Sequence, residues 1–354
     1  MTHSPVDFLI IGATPLARLL AGLLASTHGK SVLLQGERAF GMRLSRDLDL
    51  SVGAMTRPES WALLRATAPE ATRLISRIGK RAAIARLDPV VFADHLAGQQ
   101  ALGHIRHMAA AYGVAAERTP LNYLGAGRQG VVLRDAVLLR RAALEPALDG
   151  WLEQSGVQQL TADASLHIAR DGSAEAMLDN KPITIGRTIL ADDDAILAHL
   201  RDGAWPALLH RQNVSTILSE PTLPLAAPVM CQLDDGVLLH QQAEGGILAQ
   251  GPGDIAAFSA MLGNLLGEKH TIEHAGQTQS VRLRTGDGAP ALGRLHGTGA
   301  DILAGFGCIG AFLAPAIARW LTGTANAAEN AWFGARLINR GTANRSVSDI
   351  GAAG

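Results

Sequence analysis

Apolar residues open the chain in three blocks separated by turn chemistry. Residues 6–11 (VDFLII) are almost continuously apolar, the pattern of a strand buried on both faces. Residues 16–26 are apolar around most of a helical circumference and predict a helix packed under a sheet. After a turn at His28 and Gly29, KSVLL at 30–34 predicts a second strand. Strand, helix and strand at this spacing predict a parallel βαβ unit. Further on, the pattern predicts helices over 58–79, 93–112 and 137–154, the last followed by a strand at GVQQL. Two strand-like runs flank the turn dipeptide Asp179-Asn180, and the second leads into three aspartates, Asp192, Asp193 and Asp194. From Trp205 to about Gly251 strands and turns alternate. A helix is predicted over 254–267 and extended structure over 271–284. Ile302 and Leu303 form a short strand before GFGCIG and a helix through Leu321.

Composition narrows the class. The 354 residues suffice for two domains or one large discontinuous one, and 47% hydrophobic with 18% charged residues excludes a disordered chain. A net charge of −1 gives no global positive field, so nucleic acid and anionic lipid are not expected partners. Residues 8–25 are largely apolar but contain Pro15 and Arg18 and lack a basic leader, so neither a signal peptide nor a transmembrane span is predicted. The two cysteines, Cys231 and Cys308, make neither a disulfide framework nor a zinc cluster, and a cytoplasmic setting is expected. His104 and His107 lack a partner set for metal, so packing or surface roles are expected and no metal site.

Two stretches carry candidate chemistry. The turn G-A-T-P-L-A puts Gly12, Thr14 and Ala17 at the glycine positions of the dinucleotide fingerprint G-x-G-x-x-G. Ala17 meets the third position's need for a small side chain, whereas Thr14 would crowd a phosphate. Gln35 holds the slot of the ribose-binding acid, with Glu37 two residues beyond. Taken alone, this loop reads equally well as a plain strand–turn–helix.

The second stretch, VRLRTGDGAPALGRLHGTGADILAGFGCIGAFLAPAIARWLTG, supplies Arg282, Thr285, Asp287, Gly288, Pro290 and Gly293, then Gly305, Gly307 and Gly310. In order and spacing it resembles the C-terminal signature of the D-amino acid oxidase superfamily of FAD-dependent oxidoreductases, with Leu283 where that family has proline. The resemblance covers both ends of the chain well and the middle loosely. It implies an α/β fold with a discontinuous Rossmann-like FAD-binding domain (1–57, 119–204 and 275–342), a mixed-sheet substrate domain (58–118 and 205–274) and a flexible tail (343–354). It implies FAD as cofactor, with GATPLA as a drifted FAD loop.

The same resemblance places Asp287 and the turn Gly305, Gly307, Cys308, Ile309 and Gly310 at the cofactor. Arg43, Ser45 and Arg46 would lie over the pyrophosphate and flavin edge, the alternative being a solvated charged loop. Arg282 would pair with a substrate carboxylate, the alternative being a structural ion pair. Some relatives hold FAD through a cysteine, but Cys308 does not match that attachment and reads as a small buried residue. Asp192, Asp193 and Asp194 stand where the family has small residues. Beside a pyrophosphate they would repel it, so they are expected to point to solvent or to meet Arg43 or Arg46. The implied activity is oxidation of an amine or amino acid by hydride transfer to flavin N5, with no catalytic base assigned. The competing readings are a non-catalytic or partner-dependent subunit and a flavoenzyme that modifies a partner protein.

Overall fold

The computed structural model describes residues 6–36, 44–161, 163–178, 181–200, 205–267, 270, 272–294 and 299–341. Glu37, Arg43 and the 343–354 tail lie outside the described residues.

The opening pattern folds as a parallel βαβ unit. Strand Val6–Ile11 pairs in parallel with Val32–Gln35 on one side and with Lys181–Leu190 on the other. The sheet runs Ala291–Arg294, Asp301–Ala304, Lys181–Leu190, Val6–Ile11, Val32–Gln35, Gln158–Leu160. Its central pairs are parallel, and Ala291–Arg294 joins one edge antiparallel. Helices Pro15–Ser26, Arg141–Gln154 and Gly310–Leu321 share one core with this sheet, in which Ile10, Leu20, Leu24 and Phe312 are fully buried. Each such side chain contributes about 1.5–3 kcal/mol on leaving water, so this layer fixes where the strand ends point.

The carboxyl ends of the parallel strands open on one edge. There Gly12 N donates to Gln35 O at 2.8 Å and Ala191 N to Ile11 O at 2.8 Å. In open α/β sheets this is where ligands bind. Above that edge stands a second sheet of eight strands. It is antiparallel apart from the parallel pair Val229–Gln232 with Val90–Ala93. Its longest ladder joins Leu209–Ser219 to His274–Thr285, and this ladder delivers Arg282 to the junction between the sheets.

Two boundaries differ from the sequence reading. The 137–154 helix splits into a strand, Ala136–Leu139, and a helix, Arg141–Gln154. All four strand residues are buried, and short apolar runs of that kind carry no period that separates strand from helix. The 93–112 helix starts later, at Leu96, and runs to Ala111, Ala93 being the last residue of strand Val90–Ala93. Helix Pro58–Gly79, grouped with the substrate domain by sequence, packs on Gly310–Leu321 and Arg141–Gln154. Strand Gln129–Leu133, grouped with the cofactor domain, pairs with Val90–Ala93 in the second sheet.

Candidate active site

A cleft of about 1730 Å³ lies between the carboxyl edge of the parallel sheet and the second sheet. It gathers Gly12, Thr14, Gln35, Ser45, Arg46, Arg282, Asp287, Gly305, Gly307, Cys308 and Gly310 along its walls. Ala17 and Ile309 are buried in the core behind it.

At one end is the loop 12–17. Gly12 has φ +153°, where side chains are strained, and a Cβ there would stand 2.9 Å from Asp192 Oδ2 and 3.0 Å from Ala17 Cβ. Thr14 caps helix Pro15–Ser26, its hydroxyl accepting from Ala17 N at 3.4 Å, with Pro15 at the first helical position. Ala17 is fully buried, as close helix–strand packing needs. Gln35 is only 5% exposed. Its Nε2 donates to Thr161 O at 3.1 Å, and its buried Oε1 has no partner among the described residues.

The three aspartates separate. Asp194 behaves as expected: its carboxylate, 70% exposed, meets Arg46 Nη1 at 2.7 Å. Asp192 and Asp193 do not, and turn inward. Asp192 Oδ1 accepts from Ala195 N at 2.9 Å and caps the short helix Asp193–His199, while Oδ2 accepts from Ala13 N at 2.7 Å. The inward turn of Asp192 has a simple cause: strand Lys181–Leu190 ends beside Ile11, so the side chain two residues on reaches the loop's backbone donors. Burial pushes the Asp192 carboxyl above its ordinary value, against the pull of the backbone N–H groups. Asp193 Oδ2 accepts from Leu283 N at 3.0 Å, and burial pushes this carboxyl up to about 7.

Two further arginines of the cleft, Arg282 and Arg141, are held by carboxylates. Arg282 Nη2 donates to Asp47 Oδ1 at 2.6 Å and to Arg46 O at 2.7 Å. Arg141 grips the buried Asp49 at 2.8 Å. Ser45 Oγ donates to Asp47 O at 2.6 Å, and Gln250 Nε2 donates to Ser45 O at 2.8 Å, which ties this segment to the second sheet.

The other end is the turn 305–310. Gly305 and Gly307 both have positive φ, and a Cβ on Gly307 would meet nothing within 4 Å. The backbone there faces open cleft, just before helix Gly310–Leu321. Leu50 N donates to Cys308 O at 2.8 Å and Cys308 Sγ to Val52 O at 3.5 Å, fixing the turn from behind. Burial pushes the Cys308 thiol up to about 12, so it is neutral and unreactive at neutral pH. Asp287 accepts a two-pronged contact from Arg340, at 2.7 and 2.9 Å, and also accepts from Ala289 N at 3.1 Å. That carboxylate therefore braces the TGDG hairpin.

Sequence reasoning did not single out Asp47, Asp49, Arg141, Gln232 or Gln250. They belong to no motif, and only the meeting of the two sheets brings them together. Gln232 lines the cleft from the second sheet; its Nε2 donates to Asp94 Oδ2 at 2.9 Å and its buried Oε1 has no partner among the described residues.

No protein-family model matches the chain, and no curated protein matches it by sequence. Solved structures do match its fold. L-proline dehydrogenase from P. horikoshii superposes with a TM-score of 0.71 at 14% identity, covering 93% of this chain and 96% of that one. L-amino acid deaminase from Proteus vulgaris gives 0.71 at 12% identity, covering 95% and 94%. Glycine oxidase from Geobacillus kaustophilus gives 0.67 at 14% identity, covering 91% and 96%. The chain has the fold of these enzymes along nearly its whole length. Among its described residues no helix is long and apolar enough to cross a membrane.

Proposed function

We propose that the chain is a flavoenzyme of the D-amino acid oxidase superfamily that holds FAD in this cleft and oxidises the C–N bond of an amine or amino acid. One observation carries the reading: a single cleft joins the orphaned acceptor Gln35 Oε1 at one end to the bare backbone of Gly307 at the other. An extended dinucleotide uses both. Gln35 Oε1 would accept from a ribose hydroxyl. The loop 12–17 and the start of helix Pro15–Ser26 would face the pyrophosphate, with Ser45 and Arg46 beside it. The turn 305–310 would take the flavin.

When bound, FAD supplies the hydride acceptor and passes the electrons on to O₂ or another acceptor. The chain supplies binding, orientation and field. The N-terminus of helix Gly310–Leu321 stabilises negative charge near the turn. Arg282 anchors a substrate carboxylate in exchange for its present partner Asp47, its planar fork suiting bidentate pairing. Gln232 Oε1, on the same second sheet, accepts from the substrate amine. An amine in its neutral form needs no protein base.

The test is the visible spectrum of the purified chain after incubation with FAD. A protein-bound flavin band near ~450 nm, bleached anaerobically by an amine or amino acid, supports the reading. A folded protein that stays colourless after removal of free FAD contradicts it.

A further inference from the structure

The fingerprint loop would offer an anion its backbone N–H groups, and in this chain one of them already faces a carboxylate of the chain itself. Ala13 N points at the Asp192 carboxylate, 2.7 Å away, and that carboxylate sits close enough to the loop to collide with any side chain placed on Gly12. The second oxygen of Asp192 is fixed on Ala195 N, so the residue is held in place from its own helix. Nearby, Gln35 Oε1 lines the same cleft, deeply buried and unpartnered, a polar atom aimed where a ligand's hydroxyl would lie. The adenosine end is thus open to a ligand while the pyrophosphate position carries the chain's own negative group.

On the reading that the cleft holds FAD, we infer that Asp192 is an internal competitor for the pyrophosphate: its carboxylate must release Ala13 N before the cofactor is seated, and it thereby sets FAD affinity. The contact is an exchange of one anion for another on the same donor. A phosphate gains little from displacing a carboxylate that already satisfies that donor, and it meets charge repulsion for as long as the carboxylate remains.

Asp192→Asn and Asp192→Ser test this. Both keep a side-chain oxygen to cap helix Asp193–His199, so the fold is preserved, and both remove the charge. Calorimetric titration of parent and variants uses two probes: FAD, and ADP, which carries adenosine and pyrophosphate without a flavin. The inference expects both ligands to bind both variants about tenfold or more tightly than the parent, a tenfold gain corresponding to about 1.4 kcal/mol. Variants that gain ADP affinity while neither they nor the parent bind FAD uphold the competition and overturn the flavoenzyme reading. A parent that binds FAD with an affinity the variants match or fall below upholds the flavoenzyme reading and overturns the competition. Folded variants that bind neither probe overturn both.

Discussion

At the turn 305–310 the backbone faces open cleft, whereas at the loop 12–17 it faces a carboxylate. The two ends also differ in how they are supported. The turn is braced from behind by Leu50 N on Cys308 O and by Cys308 Sγ on Val52 O, leaving its front surface bare, and the buried Arg340–Asp287 pair braces the TGDG hairpin on the same cleft wall. The loop is satisfied from the front, by Asp192 on Ala13 N and by the Thr14 hydroxyl on Ala17 N. Departures from the fingerprint therefore do not leave a frayed loop. Thr14 and Asp192 compensate locally for the donors that a phosphate would otherwise take. On the proposed reading, such a loop is structurally complete yet harder for its ligand to enter.

The largest effect expected is at the crowded end. Gly12→Val places a branched side chain against Asp192 and Ala17 at a backbone angle only glycine tolerates. It should abolish FAD binding, measured by flavin fluorescence with circular dichroism as a check on folding. Retained binding in a folded variant would remove the loop from the cofactor site and erase the contrast between the ends.

Next comes the brace at the open end. Arg340→Ala leaves the Asp287 carboxylate buried without its partner, and removing one member of a buried pair costs about 3–5 kcal/mol. A comparable fall in unfolding free energy by denaturant titration is expected. A change under about 1 kcal/mol, the size typical of a surface pair, would mean that the TGDG hairpin is held by backbone contacts alone.

Asp193 ties the short helix Asp193–His199 to the second sheet through Leu283 N and gives a pH signature. Its carboxyl sits at about 7 in the fold against an ordinary aspartate value of 3.8, so the folded chain keeps a proton that the unfolded chain has lost. The associated stability is whole below the unfolded value and is lost as pH rises through about 7. Asp193→Asn, which keeps an acceptor for Leu283 N, should therefore stabilise the chain by about 2–4 kcal/mol at about pH 8 and by almost nothing near pH 4. A gain independent of pH would show that Asp193 is already ionised at little penalty.

The smallest effect concerns substrate. Arg282→Lys keeps charge but loses the planar fork, so a carboxylate substrate should weaken by about 1.5–3 kcal/mol with FAD affinity little changed. Equal losses in both would make the Arg282–Asp47 pair purely structural.

Much of this architecture was legible from pattern. The apolar blocks at 6–11, 16–26 and 30–34 gave the βαβ unit because burial on both faces leaves a continuous signature. The two-sheet fold followed from the resemblance carried by Arg282, Thr285, Asp287 and the glycines of 305–310. The break at Arg140 was hidden, because AVLL is too short to show a period. The inward turn of Asp192 was hidden too: the sequence announces three like charges and the need to neutralise them. That one would be satisfied by backbone N–H groups across 179 residues depends on Lys181–Leu190 lying beside Val6–Ile11. Asp47 and Asp49 stayed silent for the same reason, their arginines lying far along the chain at 282 and 141.

Whether one cleft holds one FAD from Gln35 to Gly307 is decided by titration of the flavin-free chain with FAD. Saturable quenching of flavin fluorescence at one equivalent is expected, with FAD bound more tightly than riboflavin, which lacks the adenosine and pyrophosphate that Gln35 and the loop would hold. Equal affinity for the two would confine binding to the turn, and a folded chain showing no saturable quenching with FAD would contradict the account outright.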